Sequence, residues 1–221
     1  MADLEKEKKQ LIEQMIKSKV LKTPKIIEAF EKIPRHEFVT KEYISSSYMD
    51  FALPTLKEST ISQPSTVAIM TEALNPQEGE KILEIGTGSG WQTSLLAYII
   101  GNKGKMVTIE FDPDLVEFAK KNIHRLGIKN VEVILGDGSL GYKKESPYDK
   151  IIFTCATPSI PKPVLEQLKI SGRIVAPVGS IEVQRMLAID NFGKDKFTET
   201  EIEPVSFVFV GLKGKYGFKE K

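Results

Sequence analysis

The sequence predicts an α/β fold, a doubly wound and mostly parallel sheet with an N-terminal helical extension and an antiparallel C-terminal strand pair. Three observations carry that reading. From Lys81 onward, short apolar runs alternate with helical patterns. One run, ILEIGTGSG at 82–90, passes straight into a glycine-rich turn and then a helical pattern that starts at Trp91. Beyond Gly179, two strand-like runs follow one another with no helix between them.

In chain order, Leu4, Leu11, Ile12, Met15 and Ile16 recur at roughly helical spacing. Thr23-Pro24 reads as a capping residue followed by a first-turn proline, opening a second helix that Pro34 stops. Residues 35–61 show no clear period and read as a long connection, a feature more often functional than idle in a compact chain. Ser62-Gln63-Pro64 resembles a further helix start. Apolar runs at 81–85, 106–110, 131–135, 150–154 and 173–178 read as buried parallel strands, with helices at 91–100, 113–126 and 162–169. The closing strands are expected at 184–190 and 204–212, joined by the polar turn NFGKDKFTETE.

Composition narrows the function classes. At 221 residues the chain fits one domain: an extension and covering loop over 1–60, a cofactor-binding core over 61–190, and a strand with a basic tail over 191–221. A net charge of +1 encodes no bulk attraction to nucleic acid. Cys155, alone, forms no intramolecular disulfide or cysteine-cluster metal site, and His36 and His124 have no metal-ligand spacing, so no metal is expected. With a charged start and no apolar run near the roughly 20 residues that span a bilayer, the chain reads as cytoplasmic and without a membrane partner.

The strand ends define the expected site. In an open parallel sheet, ligands bind beyond the carboxyl ends of the strands. Glu84 and the loop Gly86-Thr87-Gly88-Ser89-Gly90 end the first strand; Glu110 ends the second, where an acid takes ribose hydroxyls. Asp137 and Gly138 follow the third, at the adenine position, and Thr154-Cys155 follow the fourth. A dinucleotide wants G-x-G-x-x-G beneath its pyrophosphate. Here the spacing is G-x-G-x-G with an acid two residues earlier, which favours a cationic ligand such as S-adenosylmethionine. Each residue also has a plainer reading: glycines for packing, Glu110 as a helix-start acid, Asp137 as a turn former.

These residues resemble the protein-L-isoaspartate O-methyltransferases, Rossmann-like class I methyltransferases that use S-adenosylmethionine and release S-adenosylhomocysteine. The resemblance runs from about 26 to 210 through IPRHEFV (33–39), ALP (52–54), TISQPSTVAIMTEAL (60–74), LEIGTGSGWQTSLLA (83–97), GDGSLGY (136–142) and GRIVAPVG (172–179). It implies methylation of the free α-carboxylate of L-isoaspartyl residues in damaged proteins or peptides, which are then the partners. The family's TIS serine falls on Ser62. Thr60 could assist it, and Leu53, Pro54 and Tyr48 would lie in the cover over the peptide.

The implied chemistry agrees with the residues. A carboxylate is ionised near neutral pH and needs no general base, so alignment and partial desolvation suffice. Ser62 reads equally as a helix cap. One segment departs from the family. Leu56-Lys57-Glu58-Ser59 stands where members carry a glycine-containing stretch ending G-Q, so less backbone freedom and a repelling Glu58 are expected there. A methyltransferase for RNA or a small molecule, and a cofactor-binding module without turnover, are the alternatives. Of the remaining residues, Cys155 reads as a small hydrophobe, Trp91 as packing under the loop, His36 as a structural hydrogen-bonding group, and Lys213, Lys215 and Lys219 as a solvated tail.

Overall fold

The computed structural model describes residues 2–194, 196–202 and 206–219. Helices α1 (Ala2–Lys17) and α2 (Pro24–Lys32) come first, followed by single-turn segments at 35–38 and 41–46. A two-stranded hairpin, β1 (Leu53–Pro54) and β2 (Thr60–Ile61), leads into α3 (Pro64–Leu74). The alternating part then runs β3 (Lys81–Ile85), α4 (Trp91–Ile100), β4 (Lys105–Glu110), α5 (Pro113–Arg125), β5 (Val131–Leu135), β6 (Tyr148–Phe153) and α6 (Lys162–Leu165). It closes with β7 (Leu168–Gly179), β8 (Gln184–Asn191) and β9 (Phe197–Glu201).

Seven strands form one sheet in the order β5-β4-β3-β6-β7-β8-β9. Pairing is parallel from β5 through β7, and β8 and β9 run antiparallel at the far edge. The order reverses between β3 and β4 on one side and β6 on the other, which puts the switch point at the carboxyl end of β3. The parallel part of the expected sheet, from β5 through β7, is therefore the one observed.

Two expectations at the C-terminal end are corrected. The partner of β8 is β9, inside the segment read as a polar turn. Its sequence FTETE is exposed throughout, so no apolar signal marks it. The predicted strand 204–212 instead makes only isolated bridges, Gln184 to Phe207 and Ala156 to Gly211, with residues 204 and 205 outside the described ones. The helix expected over 162–169 stops at Leu165, because the Gln167 carbonyl accepts from the Tyr148 amide and Leu168 pairs with Tyr148. Sheet pairing captures residues whose local pattern is helical.

Apolar alternation along the central strands feeds two faces. Leu83, Ile85, Val107, Ile109, Ile151 and Phe153 pack on one face, and Ile82, Met106, Ile152 and Val175 pack on the other with α3 and α4. A third cluster joins the N-terminal extension to the core. Leu11, Met15, Ile26, Phe30 and Phe38 meet Trp91, Leu95 and Ile99 of α4, so the extension is packed on the helix that follows the glycine loop.

Capping departs from the sequence reading in an informative way. Thr23 precedes α2 but makes no side-chain cap. Glu72, on α3, reaches across instead and accepts from the amides of Lys22 (2.7 Å) and Thr23 (2.8 Å) and from the Thr23 hydroxyl (2.7 Å). A carboxylate at a helix N-terminus also meets the positive end of its dipole. Glu72 thus ties α2 to α3. Replacing Glu72 with Ala is expected to lower unfolding free energy by about 1–2 kcal/mol in a denaturant titration, with most of that loss absent in E72Q.

Candidate functional site

The glycine loop is shaped by backbone demands and anchored from below. Gly86 has φ +98°, and a Cβ there would lie 2.7 Å from Thr154 Oγ1, so a side chain fits neither the conformation nor the space. Gly88, at φ +54°, has nothing within 4 Å of an added Cβ, which leaves open ground on the loop. Gly90 caps α4 in the left-handed conformation.

Beneath the loop Glu84 is fully buried. Its Oε2 accepts from Thr108 Oγ1 at 2.6 Å and from Thr93 Oγ1. The Thr108 proton being committed to Glu84, Thr87 Oγ1 must donate to Thr108, over 2.7 Å. This chain of hydroxyls fastens the loop to β4 and α4. Burial, only partly opposed by the two threonine hydroxyls, pushes the Glu84 carboxyl up to about 8. Glu84 thus anchors the loop from below and does not line the cavity, which corrects the expectation of a carboxylate facing a cationic ligand.

Glu110 holds the expected position at the end of β4. Its Oε2 accepts from the Gly88 amide (2.9 Å), and Oε1 accepts from the amides of Phe111 (2.8 Å) and Asp112 (3.1 Å). The carboxylate orients the loop while keeping lone pairs for hydroxyl donors. Asp112 then caps α5, accepting from the Asp114 amide at 2.8 Å. Asp137 differs from expectation. Its Oδ1 accepts from the Ser139 amide and hydroxyl, and Oδ2 from the Lys215 amide at 2.8 Å. With the Tyr216 amide donating to Ser139 Oγ at 3.0 Å, these bonds pin the C-terminal segment over the end of β5. Gly214, φ +112°, is needed there because a Cβ would fall 2.0 Å from Asp137 Oδ1. The basic tail is therefore partly a strap, and residues 206–213 roof the site.

The opposite wall comes from the N-terminal extension and is organised by Arg35. This side chain is 1% exposed. Nη1 donates to the Ser47 carbonyl (2.7 Å), and Nη2 donates to those of Phe51 (3.0 Å) and Ser62 (3.0 Å). One guanidinium thus binds the 47–51 segment to the TIS segment. Tyr48 Oη lies 2.7 Å from His36 Nδ1 and is buried, so both residues pack the loop. Burial raises the Tyr48 phenol above its ordinary range.

The segment 56–59 closes as a tight turn without a glycine. The Ser59 amide donates to the Leu56 carbonyl at 3.0 Å, closing a turn with Lys57 at φ +54° and Glu58 at φ +58°. Both central residues adopt the positive φ of a type I′ hairpin turn, a geometry glycine takes without strain. Glu58 is exposed and outside the cavity wall. Lys57 lines it and reaches Asp114 Oδ2 at 2.8 Å.

These parts enclose one cavity of about 300 Å³. Of the expected residues, Thr60, Ser62, Gly86, Thr87, Gly88, Ser89, Glu110 and Gly138 line it. Glu84, Gly90 and Asp137 support the wall from behind. Leu53 is buried in the N-terminal cluster and Pro54 pairs with Thr60, so neither forms the cavity surface. Ser62 is not the cap of α3, a place taken by Gln63 without a side-chain bond. Cys155 is on the wall with its thiol raised well above the usual range by burial, consistent with an inert group. Trp91 packs edge-on against Phe30, with centroids 5.6 Å apart.

Sequence reasoning assigned no role to Gln92, although it lies in the 83–97 motif, nor to the roof at 206–213. Gln92 lines the cavity, and its Oε1 is buried with no hydrogen-bond partner among the described residues. Together with Glu110 and the open Gly88, it suits a ligand rich in hydroxyl and amino donors such as S-adenosylmethionine.

The raised Glu84 carboxyl has a pH consequence. Its folded pKa exceeds the unfolded one, so the contribution is complete below about 4.5 and is lost as pH rises through about 8. Stability of the wild type is expected to fall with pH across that window, and E84Q to remove most of this slope. Thermal melts from pH 5 to 9 check it, and identical slopes would mean a charged Glu84.

The chain matches the family model of protein-L-isoaspartate(D-aspartate) O-methyltransferase over residues 6–215. It is 45% identical over 214 residues to protein-L-isoaspartate O-methyltransferase 2 of Archaeoglobus fulgidus, covering 96% of each chain. It is also 45% identical over 218 residues to the Dictyoglomus thermophilum protein-L-isoaspartate O-methyltransferase, covering 99% of this chain and 96% of that one. Among solved structures, a protein-L-isoaspartate O-methyltransferase superposes with a TM-score of 0.83 at 32% identity, over 95% of this chain and 67% of that one. A second, from Plasmodium falciparum in complex with S-adenosyl-L-homocysteine, shares the fold at 20% identity with a TM-score of 0.80, over 93% of this chain and 97% of that one. With its glycine loop, Glu110 and Ser62 around one cavity, the chain belongs to the protein-L-isoaspartate(D-aspartate) O-methyltransferase family.

Proposed function

We propose that this protein methylates the free α-carboxylate of L-isoaspartyl residues in damaged proteins and peptides, with S-adenosylmethionine as donor and S-adenosylhomocysteine as product. The observation that carries the reading is the shared cavity. Ser59, Thr60 and Ser62 of the hairpin form one wall, and Gly86, Thr87, Gly88 and Ser89 form the facing one. Acceptor and donor sites therefore meet in one enclosed space.

S-adenosylmethionine, when bound, supplies an electrophilic methyl group. The glycine loop, Glu110 and Gln92 hold the donor side. Gly138 contributes a backbone surface beyond β5. On the acceptor side the Ser62 hydroxyl donates to the carboxylate, holding it without removing its charge, and Thr60 assists. No proton has to be taken from an ionised carboxylate, and neither histidine stands on the cavity wall. Catalysis then rests on alignment and on exclusion of water beneath the 206–213 roof. The ester formed is activated toward attack by the following backbone nitrogen, with methanol leaving to give a succinimide. Hydrolysis of that ring returns part of the chain to normal aspartate. A cytoplasmic location belongs to this reading, supported by the lone Cys155; none of the described helices is long and apolar enough to cross a membrane.

The test is labelled-methyl transfer to a matched peptide pair. Base-labile label is expected on the isoaspartyl peptide and none on its aspartyl isomer; equal labelling would refute the specificity. In the same assay Ser62→Ala is expected to lower kcat/KM by roughly 10- to 100-fold, with cofactor affinity within about twofold of wild type. Unchanged turnover would remove Ser62 from the site.

A further inference from the structure

Arg35 carries more than a packing role requires. Its guanidinium donates only to carbonyl oxygens, those of Ser47, Phe51 and Ser62 at 3.0 Å or less with Met49 and Ile61 at 3.5 Å, and the Trp91 ring lies 5.4 Å from its carbon. Nε is buried and has no hydrogen-bond partner among the described residues. Among the described residues no carboxylate makes an ion pair with it. Asp50, the acid that acts on it most, is exposed and accepts from the Ser65 amide at 2.9 Å. Lys8, which shares a small cavity with Arg35 and Tyr48, is paired with Glu5 at 2.7 Å. Glu37 is paired with Arg125 at 2.6 Å. Burial lowers the guanidinium to about 10, which leaves it charged at neutral pH.

The carbonyls satisfy the donors of Arg35 but leave its net charge in place, and burying a cation without a carboxylate counterion is costly. The charge also sits directly behind the acceptor wall, since Nη2 holds the Ser62 carbonyl. We propose that Arg35 is a positioning residue for the methyl acceptor, fixing the Ser62 segment and supplying an unneutralised positive charge that makes the site prefer an anionic acceptor over a neutral one. This inference rests on the isoaspartyl reading and identifies what selects the acceptor's charge. Two other cations line the cavity, Lys57 and Lys213, and both are exposed, with Lys57 paired to Asp114. Salt screens exposed charges over about 10 Å at 0.1 M, but acts much less on a buried one. The two sources of charge are therefore separable.

The experiment compares an isoaspartyl peptide with the same peptide carrying an α-carboxamide, a neutral isostere. Affinities are measured by calorimetry on full-length protein saturated with S-adenosylhomocysteine, at low and high salt. The wild type is expected to favour the carboxylate by about tenfold or more, with that ratio retained in high salt. R35M is expected to bring the ratio to about one while S-adenosylhomocysteine affinity stays within about threefold; a general loss of structure would weaken both. R35K, which keeps the charge but not the fork, should hold most of the ratio while raising KM. If R35M does not fold, the salt dependence and R35K decide. A wild-type ratio near one, a ratio that collapses in high salt, or one that survives in R35M would overturn the proposal. Methyl transfer to the isoaspartyl peptide alongside any of these defeats the Arg35 role alone. An absence of transfer by wild type defeats the isoaspartyl reading, and the proposal with it.

Discussion

The acceptor half of this molecule depends on one buried guanidinium. Residues 47–51 and 60–62 have little regular structure, and their carbonyls would otherwise need water. Arg35 gathers them with donors in a rigid planar fork, which a lysine could not reproduce. Its own position is set by the packing of α1 and α2 on Trp91, whose ring lies 5.4 Å from the guanidinium carbon. The helix that follows the cofactor loop therefore also seats the group that holds the acceptor wall. The glycine loop and the 59–62 segment are held on one cavity by one helix and one side chain.

The donor half uses the opposite device. Glu84 is buried as Arg35 is, and the loss of water, which two threonine hydroxyls only partly offset, raises its carboxyl. A neutral carboxyl can anchor the loop without placing a negative charge under the ligand. Glu110 is the acid that lines the cavity, and its bond to the Gly88 amide ties the shape of the loop to that wall. Asp137 connects the same region to the C-terminal strap, so closure of the roof is coupled to the geometry at the end of β5.

Much of this was legible in the sequence, for identifiable reasons. The parallel core was readable because buried strands such as KILEI and KMVTIE leave long apolar runs, and proline and Asp112 mark helix starts. The loop glycines and Glu110 were legible because their spacing follows from strand, turn and helix. What could not be read depends on contacts between distant residues. β9 is polar and exposed and forms only because β8 offers an edge. α6 ends early because Leu168 is recruited by β6. Glu84 and Asp137 stand at the expected positions, yet a hydroxyl 24 residues away binds Glu84 Oε2 and an amide 78 residues away binds Asp137 Oδ2. Arg35 lay within a recognised motif, but nothing local indicates that its partners are carbonyls up to 27 residues on. The turn at 56–59 is the converse case, a sequence without glycine that holds a glycine-like backbone through its hairpin bond.

In the proposed arrangement donor and acceptor occupy facing walls of one cavity, with Arg35 behind the acceptor wall. A crystal structure with S-adenosylhomocysteine and an isoaspartyl peptide bound together tests it most directly. The account predicts the peptide's α-carboxylate beside Ser62 and Thr60, the adenosine hydroxyls on Glu110, and Arg35 still holding the Ser62 carbonyl. A carboxylate seated away from the 59–62 wall, or a guanidinium turned out to solvent, would contradict it.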